Sequence, residues 1–356
     1  MKQFHPLKVV AKDPETRDSV RITLDVPDGL QPAFEFQPGQ HLPIQIELGG
    51  KRLRRTYSIC SEQGYWPLEI GVRVQPGGQF SEYAANELSV GDELEVMPPT
   101  GRFHATVDPC NSKFYLGFAA GSGITPILSI ATSILNNEPA SRFALFYGNR
   151  KQRSTMFIED LYALKNRYPD RFQLHFVFSQ EETEFEINAG RIDAEKVAEL
   201  HARFCSGDSA DEAFVCGPDS MINTVVEALT GLGMTDEAIH VERFGAPRRA
   251  APYVSAEPAA STDSASVTVI MDGHKKSFEM AREGASIVDA AATSGVELPY
   301  SCKGGVCATC RTHVRQGEVR METNYGLEPW EIEAGFVLAC QSRPVSEQVL
   351  LDYDKS

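Results

Sequence analysis

Residues 301–310 read Ser-Cys-Lys-Gly-Gly-Val-Cys-Ala-Thr-Cys, and a lone cysteine follows after 29 further residues. The set therefore has the spacing C-x4-C-x2-C plus one distant cysteine, and its members are Cys302, Cys307, Cys310 and Cys340. Four thiolates hold a [2Fe–2S] cluster with this spacing. The two glycines let the backbone wrap closely around an inorganic core, with N–H groups pointing at sulfur. Because such a cluster accepts one electron at a time, the loop predicts a protein that moves electrons.

Two other uses of these cysteines fit less well. A structural zinc site normally combines two short C-x2-C or Cys/His pairs, and only one C-x2-C occurs here. Disulfides suit a small secreted scaffold, whereas this chain has 356 residues and no apolar export segment at its N-terminus. Among the other cysteines, which are scattered singly, Cys60, Cys110 and Cys205 are expected to be small apolar fillers.

Composition predicts an ordinary globular protein of two or three domains in the cytoplasm, where thiols stay reduced. Hydrophobic residues make up 42% of the chain and charged residues 23%. The chain contains no run of about 18 apolar residues, which a membrane-spanning helix would need. The net charge of −15 argues against nucleic acid and anionic membranes as partners. It fits docking to a more basic protein surface.

The hydrophobic pattern divides the chain into three domains and a linker. Residues 1–110 alternate apolar and polar positions over short stretches, which predicts an antiparallel β-barrel or sandwich. Residues 111–245 alternate apolar runs with helical stretches, which predicts βαβ units and a parallel sheet. Residues 246–264 are rich in Ala, Pro and Ser and predict a linker. Residues 265–356 open with an alternating hairpin and contain the cysteine loop.

Two motifs in the first domain suggest a flavin site. Arg55-Thr56-Tyr57-Ser58 ends an apolar strand, and Gly77-Gly78-Gln79-Phe80-Ser81 follows about twenty residues later. Arginine pairs a pyrophosphate bidentately, and tyrosine offers a flat face to an isoalloxazine ring. The Gly-Gly turn and the serine can supply N–H and O–H donors to phosphate. Taken alone, these residues are better interpreted as a solvated arginine, a packed tyrosine and an ordinary turn.

The second domain carries a nucleotide-binding pattern. Gly121-Ser122-Gly123-Ile124-Thr125-Pro126 directly follows an apolar run and opens a helix, as a phosphate-binding turn does. It lacks the third glycine of G-x-G-x-x-G, so it is a variant of that turn. Cys216-Gly217-Pro218 ends the fourth apolar strand, where ligands of open α/β sheets bind. Cys216 is therefore placed to touch a nicotinamide ring, or else it is a buried structural cysteine.

A basic cluster follows the second strand of this domain. Arg150, Lys151 and Arg153 stand where NAD-binding proteins prefer an acidic residue for the ribose 2′-hydroxyl. Basic side chains suit a 2′-phosphate, so the sequence favours NADPH over NADH. A solvated basic turn is the alternative.

In this order, R-x-Y-S, G-G-x-x-S, G-x-G-x-T-P and C-G-P resemble the ferredoxin–NADP⁺ reductase superfamily, over essentially the whole chain. The added plant-type ferredoxin module makes the chain similar to reductase components of multicomponent oxygenases. The resemblance implies a β-barrel domain that binds FAD, although some relatives with reordered domains use FMN. It also implies an α/β nucleotide domain and a β-grasp α+β ferredoxin domain.

The resemblance also implies a role for each matching residue. The flavin is expected to contact Arg55, Tyr57 and Ser58, with Ser58 near its reactive N5, and its pyrophosphate to contact Gly78 and Ser81. The phosphates of the nucleotide are expected to contact Gly121, Gly123 and Thr125. Its 2′-phosphate is expected to contact Arg150 and Arg153. Its nicotinamide is expected to contact Cys216 and Gly217. Phe244 is expected to cover the flavin until NADPH displaces it. Ser58 and Cys216 are the predicted catalytic positions.

The implied function is electron transfer from NADPH to FAD, then to [2Fe–2S], and then to a separate di-iron oxygenase. Two alternatives stay open at this point. One is a reductase that serves another oxygenase, a desaturase or a demethylase. The other is a binding protein that uses flavin and cluster to sense redox state.

Overall fold

The computed structural model describes residues 3–205, 207, 209–244 and 264–355. These residues form two compact units, of which one spans Gln3–Phe244 and the other contains the described residues from Ser264 onward. The predicted linker lies outside the described residues, except that Ser264 already begins a strand. No helix in the described ranges has the length and apolar character that a membrane span requires.

The first unit begins with a six-stranded antiparallel sheet. Its strands, paired in the order β4-β3-β6-β1-β2-β5, are β1 His5–Thr16, β2 Ser19–Asp25, β3 His41–Leu48, β4 Lys51–Ser58, β5 Leu68–Arg73 and β6 Glu93–Val96. The sheet closes on itself, because Ile59 bridges to Ile70 and the N–H of Cys60 donates to the carbonyl of Glu69 at 2.9 Å. The short helices α1 Gln31–Phe34 and α2 Gln79–Asn86 accompany this barrel. Alternate strand residues fill its core, which confirms the predicted β-barrel.

A five-stranded parallel sheet follows in the same unit. Its strands, paired in the order β11-β10-β7-β8-β9, are β7 Phe114–Ala120, β8 Arg142–Asn149, β9 Phe172–Phe178, β10 Glu212–Cys216 and β11 Ile239–Glu242. The connecting helices are α3 Ile124–Asn137, α4 Ile158–Arg167, α5 Ala194–Phe204 and α6 Asp219–Gly231. Alternate residues of the same strands belong to two separate hydrophobic clusters, one on each face of the sheet. Because both faces are buried, the strand sequences are nearly continuously apolar. The predicted α/β domain is confirmed.

Polar contacts join the barrel to the parallel sheet. Arg21 on β2 pairs with Glu15 on β1 at 3.0 Å and with Asp160 on α4. The Ser129 hydroxyl on α3 donates to the carbonyl of Ser61 at 2.7 Å. These contacts fix the barrel against helices α3 and α4, and α3 is the helix that the nucleotide motif opens.

The described part of the second unit contains a mixed five-stranded sheet, a two-stranded sheet and two short helices. The strands are β12 Ser264–Met271, β13 His274–Ala281, β14 Arg311–Gln316, β15 Val319–Met321, β16 Phe336–Leu338, β17 Ser342–Pro344 and β18 Gln348–Asp352. Five of them pair in the order β13-β12-β18-β14-β16, with β12 and β18 parallel, while β15 pairs with β17. Helix α7 Ile287–Thr293 packs on the main sheet, and α8 Pro329–Glu333 precedes β16. This is the predicted β-grasp arrangement.

Candidate flavin, nucleotide and iron–sulfur sites

The R-x-Y-S residues lie at the end of β4, on the rim of the barrel. The ring of Tyr57 packs against Phe80 of α2, with 5.0 Å between centroids. Burial raises the pKa of Tyr57, and the nearby charge of Arg55 opposes this rise. The Arg55 side chain is exposed, whereas Ser58 is only 4% exposed. A cationic head and an aromatic ring thus stand side by side on this rim.

The turn before α2 is built by Gly78 and Ser81. The Ser81 hydroxyl accepts from the N–H of Gln75 and donates to the carbonyl of Gly78, both at 3.1 Å. A Cβ on Gly78 would lie 2.5 Å from that hydroxyl oxygen. The hydroxyl proton of Ser81 is thus used inside the turn. Backbone N–H groups in the first turn of α2 are the donors that the turn offers to a phosphate.

The nucleotide motif forms a tight turn between β7 and α3. Gly121 has φ +56°, and a Cβ on Gly123 would overlap the carbonyl oxygen of Cys216. Tyr147 donates to the carbonyl of Gly121 at 2.8 Å, and the Thr125 hydroxyl donates to the carbonyl of Ser122 at 3.1 Å. Thr125 therefore stabilises the turn from within, and the N-terminus of α3 points out of it as an anion-binding end.

Arg73 is a residue at this turn that the sequence reasoning missed. It ends β5, and its Nη1 lies 3.2 Å from where a Cβ on Gly121 would stand. Its Nε and Nη2 donate to Asp18 at 3.1 and 2.8 Å. Its position at a strand end, just before the Gly-Gly turn, is the signal that could have found it.

The two predicted catalytic residues lie on opposite sides of the seam between barrel and sheet, linked by His41 and Glu242. Ser58 pairs with His41 in the β3–β4 ladder, and Cys216 pairs with Glu242 in the β10–β11 ladder. Nδ1 of His41 lies 3.8 Å from Oε1 of Glu242, and both side chains are largely buried. Sequence reasoning missed His41 and Glu242, because a polar residue at a strand end carries no distinct signal. A continuous path of neighbouring residues thus connects Ser58 to Cys216.

Cys216 is fully buried at the end of β10. Burial raises the pKa of its thiol well above the ordinary value, and the charge of Glu242 adds to the effect. The thiol is therefore neutral at physiological pH. A Cβ on the next residue, Gly217, would lie 2.6 Å from Cε of Met221, so a larger residue there would require the Met221 side chain to move. Phe244, two residues past Glu242, is 47% exposed.

The basic residues after β8 are in solvent. Arg150 follows the strand directly, and Arg153 lies in the short turn Gln152–Ser154. Both side chains are exposed and carry charge at the carboxyl edge of the sheet, where ligands of such sheets bind.

The four cysteines of the second unit form two pairs. The N–H of Cys307 donates to Sγ of Cys302 at 3.4 Å, and the N–H of Cys302 donates to Sγ of Cys307 at 3.5 Å. A hydrogen bond between the thiols of Cys310 and Cys340 lowers the pKa of Cys340. In the described part of the chain, no three His, Cys, Asp or Glu side chains converge on one metal ion. Two pairs suit a cluster of two irons, each with two thiolates, better than a single zinc ion.

The loop around these thiols supplies donors to sulfur. The N–H of Gly304 donates to Sγ of Cys302 at 3.3 Å, and the Thr309 hydroxyl donates to Sγ of Cys307 at 3.2 Å. Its hydrogen bonds, the one with Cys307 foremost, lower the pKa of Cys302 to about 5. Ser301 is 3% exposed, and its hydroxyl has no hydrogen-bond partner among the described residues. This unused buried hydroxyl beside Cys302 fits a site built for an additional group. All eight cysteines are described, and none of them forms a disulfide.

The architecture and these sites define an oxidoreductase that combines flavin, nicotinamide dinucleotide and iron–sulfur binding in one chain. Three family descriptions match in this order: "Oxidoreductase FAD-binding domain" over residues 6–105, "Oxidoreductase NAD-binding domain" over residues 118–227, and "2Fe-2S iron-sulfur cluster binding domain" over residues 269–345. FAD, a nicotinamide dinucleotide and [2Fe–2S] are its cofactors.

The chain belongs to the family of reductase components that includes the reductase subunit of 1,2-phenylacetyl-CoA epoxidase from Escherichia coli strain K12. It is 46% identical to that protein over 356 residues, with 99% of each chain covered. It is 35% identical to the ferredoxin reductase component of 3-ketosteroid-9-alpha-monooxygenase from Rhodococcus rhodochrous, covering 98% of this chain and 96% of that one. Phthalate dioxygenase reductase, described as a modular structure for electron transfer from pyridine nucleotides to [2Fe–2S], superposes with a TM-score of 0.61 at 25% identity, with 98% of each chain covered.

These relatives confirm a narrower prediction from the sequence. Short segments resemble the reductase subunit of phenylacetyl-CoA 1,2-epoxidase in particular, namely Phe36–Leu42, Ala119–Pro126, Tyr147–Arg150, His240–Phe244, Cys302–Cys310 and Met321–Tyr325. The Escherichia coli protein is that subunit, and the similarity to it extends over its full length.

Proposed function

We propose that this chain is the reductase component of a phenylacetyl-CoA epoxidase system in phenylacetate catabolism. Electrons pass in the order NADPH, FAD, [2Fe–2S] and a separate di-iron oxygenase. When bound, FAD takes two electrons together from the nicotinamide and releases them one at a time to the cluster. We place the protein in the cytoplasm, where its eight cysteines, none of them in a disulfide, stay reduced.

On the barrel, each predicted residue has a distinct task. Arg55 binds the flavin pyrophosphate together with the N–H groups at the start of α2. Tyr57, held by Phe80, lies along the flavin ring, and Ser58 offers its hydroxyl near N5. Gly78 and Ser81 contribute by shaping the turn that aims those N–H groups.

On the sheet, the Gly121–Gly123 turn binds the dinucleotide phosphates and Thr125 keeps that turn closed. Arg150 and Arg153 bind the 2′-phosphate, which favours NADPH. The neutral thiol of Cys216 and the bare backbone of Gly217 leave a small apolar space for the nicotinamide. Phe244 covers the flavin ring until the nicotinamide enters.

In the second unit, Cys302 and Cys307 would hold one iron, and Cys310 and Cys340 the other. Backbone and side-chain donors around them offset the negative charge of four thiolates. These residues do no acid–base work, since their task is to hold the cluster and stabilise its charge.

The observation that carries this proposal is the path of neighbouring residues that leads from Ser58 through His41 and Glu242 to Cys216 at one seam. The identity of the acceptor is supported by the similarity to the Escherichia coli epoxidase reductase over both full lengths. The test is reconstitution of the purified holoprotein with the oxygenase component of phenylacetyl-CoA epoxidase. NADPH oxidation should then depend on both the oxygenase and phenylacetyl-CoA.

Two other results would each contradict part of the proposal. Steady reduction of ferricyanide by NADPH, without stimulation by phenylacetyl-CoA and its oxygenase, would assign the reductase to another acceptor. Absence of steady turnover with any acceptor would favour the redox-sensing alternative.

A further inference from the structure

A carboxylate on the barrel holds an arginine that lies at the proposed nucleotide turn. Asp18 lies in the turn between β1 and β2, and Arg73 is the last residue of β5. One carboxylate oxygen of Asp18, Oδ2, accepts from Nε and Nη2 of Arg73 at 3.1 and 2.8 Å. The carbonyl of Asp18 also accepts from the N–H of Val74 at 2.8 Å. The guanidinium is therefore held at two of its three nitrogens.

Asp18 is itself fixed by its own turn. The Thr16 hydroxyl donates to the other carboxylate oxygen, Oδ1, at 2.8 Å, and the N–H of Asp18 donates to that hydroxyl at 3.3 Å. Burial opposes the ionisation of Asp18, but hydrogen bonds from Arg73 and Thr16 lower its pKa below the ordinary value. The carboxylate is thus a charged and oriented acceptor at neutral pH.

The third nitrogen of Arg73 lies beside the turn at Gly121. Nη1 has no hydrogen-bond partner among the described residues, and it lies 3.2 Å from where a Cβ on Gly121 would stand. Burial raises the pKa of Tyr147, whose hydroxyl donates to the carbonyl of Gly121, and the charge of Arg73 opposes this rise. A cation with one unused donor thus lies next to the turn that is proposed to bind the dinucleotide phosphates.

We propose that Asp18 is a positioning residue, which orients Arg73 so that Nη1 donates to the diphosphate of the dinucleotide. An arginine that is already held loses less side-chain freedom when its ligand binds, so it binds more tightly than a free one. The charge of Asp18 acts in the opposite direction, because it weakens the attraction between Arg73 and a phosphate. Solvent screens that charge, since the Asp18 side chain is 44% exposed, and orientation outweighs it. The inference rests on the proposed function, because it takes the Gly121–Gly123 turn as the nucleotide site.

The test uses the full-length holoprotein with Asp18→Asn and Arg73→Gln, alone and together. Calorimetry measures Kd for NADP⁺, ferricyanide reduction measures KM and kcat, and flavin content is determined in parallel. Asp18→Asn should raise Kd and KM about threefold and Arg73→Gln about tenfold, with kcat and flavin content unchanged. Asp18→Asn should add nothing in the Arg73→Gln background, because Asp18 acts through that side chain.

Two comparisons make this result specific. NADPH and NADH share the diphosphate, so KM should rise by the same factor with both nucleotides. Glu199→Gln is the matched control, because it breaks an ion pair on α5 in which Glu199 accepts from Lys196 at 2.8 Å. The side chain of Glu199 is 48% exposed, which is close to the exposure of Asp18. This variant should keep the wild-type Kd.

Three results would overturn the inference and leave the proposed function intact. An unchanged or lower Kd in Asp18→Asn would show that the carboxylate does not orient the arginine for binding. An equal loss of affinity from Asp18→Asn with and without Arg73→Gln would make Asp18 a structural residue. Loss of flavin from Arg73→Gln with an unchanged Kd for NADP⁺ would assign Arg73 to the flavin.

A further variant covers the case in which Arg73→Gln does not fold. Arg73→Lys keeps the charge but lacks the two nitrogens that Asp18 holds, so it should also raise Kd and remove the effect of Asp18→Asn. A wild-type protein that neither binds NADP⁺ nor oxidises NADPH would contradict the proposed function itself, and the inference with it.

Discussion

Gly123 packs so tightly against the carbonyl oxygen of Cys216 that any side chain at position 123 would overlap it. This contact brings the phosphate-binding turn of α3 against the end of β10. The two motifs lie 93 positions apart in the sequence but are in direct contact in the fold, so the proposed nicotinamide and phosphate contacts are fixed relative to each other.

Gly123→Ala should damage nucleotide binding more than it damages the flavin domain. The added methyl must push the turn away from β10, and overpacking of this kind costs about 1–3 kcal/mol. We expect KM for NADPH to rise about tenfold in ferricyanide reduction, with flavin content unchanged. Gly231→Ala is the control, because a Cβ at that last residue of α6 meets no atom within 4 Å. An unchanged KM in Gly123→Ala would contradict the proposed turn.

Arg150→Gln and Arg153→Gln should change the choice of nucleotide. Each removes a cation proposed to bind the 2′-phosphate, and hydrogen bonds to charged groups contribute about 1.5–3 kcal/mol, less when exposed. We therefore expect kcat/KM with NADPH to fall about tenfold for each variant, while kcat/KM with NADH stays constant. Arg167→Gln, an exposed arginine on α4, serves as the control. Equal losses with both nucleotides would place the two arginines outside the 2′-phosphate site.

His175 predicts an acid-sensitive stability for the first unit. Its ring stacks on Phe204 at 3.7 Å between centroids, and burial together with the charge of Lys165 lowers its pKa from 6.5 to about 4. Lys165 and Arg203 line the same depression as His175. Between pH 6.5 and pH 4 the unfolded chain binds a proton that the folded chain refuses, so stability falls as pH falls through this window.

The measurement is the urea midpoint of unfolding at several pH values. His175→Phe should reduce the fall of the urea midpoint between pH 6.5 and pH 4. His274→Gln, at an exposed position on β13, should leave that fall unchanged. The same slope in wild type and His175→Phe would show that other groups cause the acid sensitivity.

The fold was predictable where local pattern and burial agree. The apolar run around Phe114–Ala120 became the buried strand β7, and the alternating stretch from Val20 became β2. Helix α5 was missed, although Asp193 caps it by accepting from the N–H of Lys196. An acidic cap before a largely polar helix resembles a loop in composition, so hydrophobic runs alone did not reveal it.

Only the site residues that belong to a sequence motif were predictable from the sequence. The cysteine spacing indicated four ligands, but their division into two pairs depends on how the chain folds back from Cys310 to Cys340. Arg73, His41 and Glu242 come from separate strands, and only tertiary packing brings them to the nucleotide turn and the seam. Thr125 and Ser81 carried motif signals, yet their hydroxyls hydrogen-bond within their own turns.

The most direct test of the account is Cys307→Ser in the full-length protein, assayed with two acceptors. A serine there removes one of four proposed cluster ligands and leaves the flavin and nucleotide residues untouched. NADPH-driven ferricyanide reduction should persist near the wild-type rate, while reduction of the oxygenase should fall by about a hundredfold or more, because the electrons reach it only through the cluster. Undiminished transfer to the oxygenase would contradict the proposed order of electron flow.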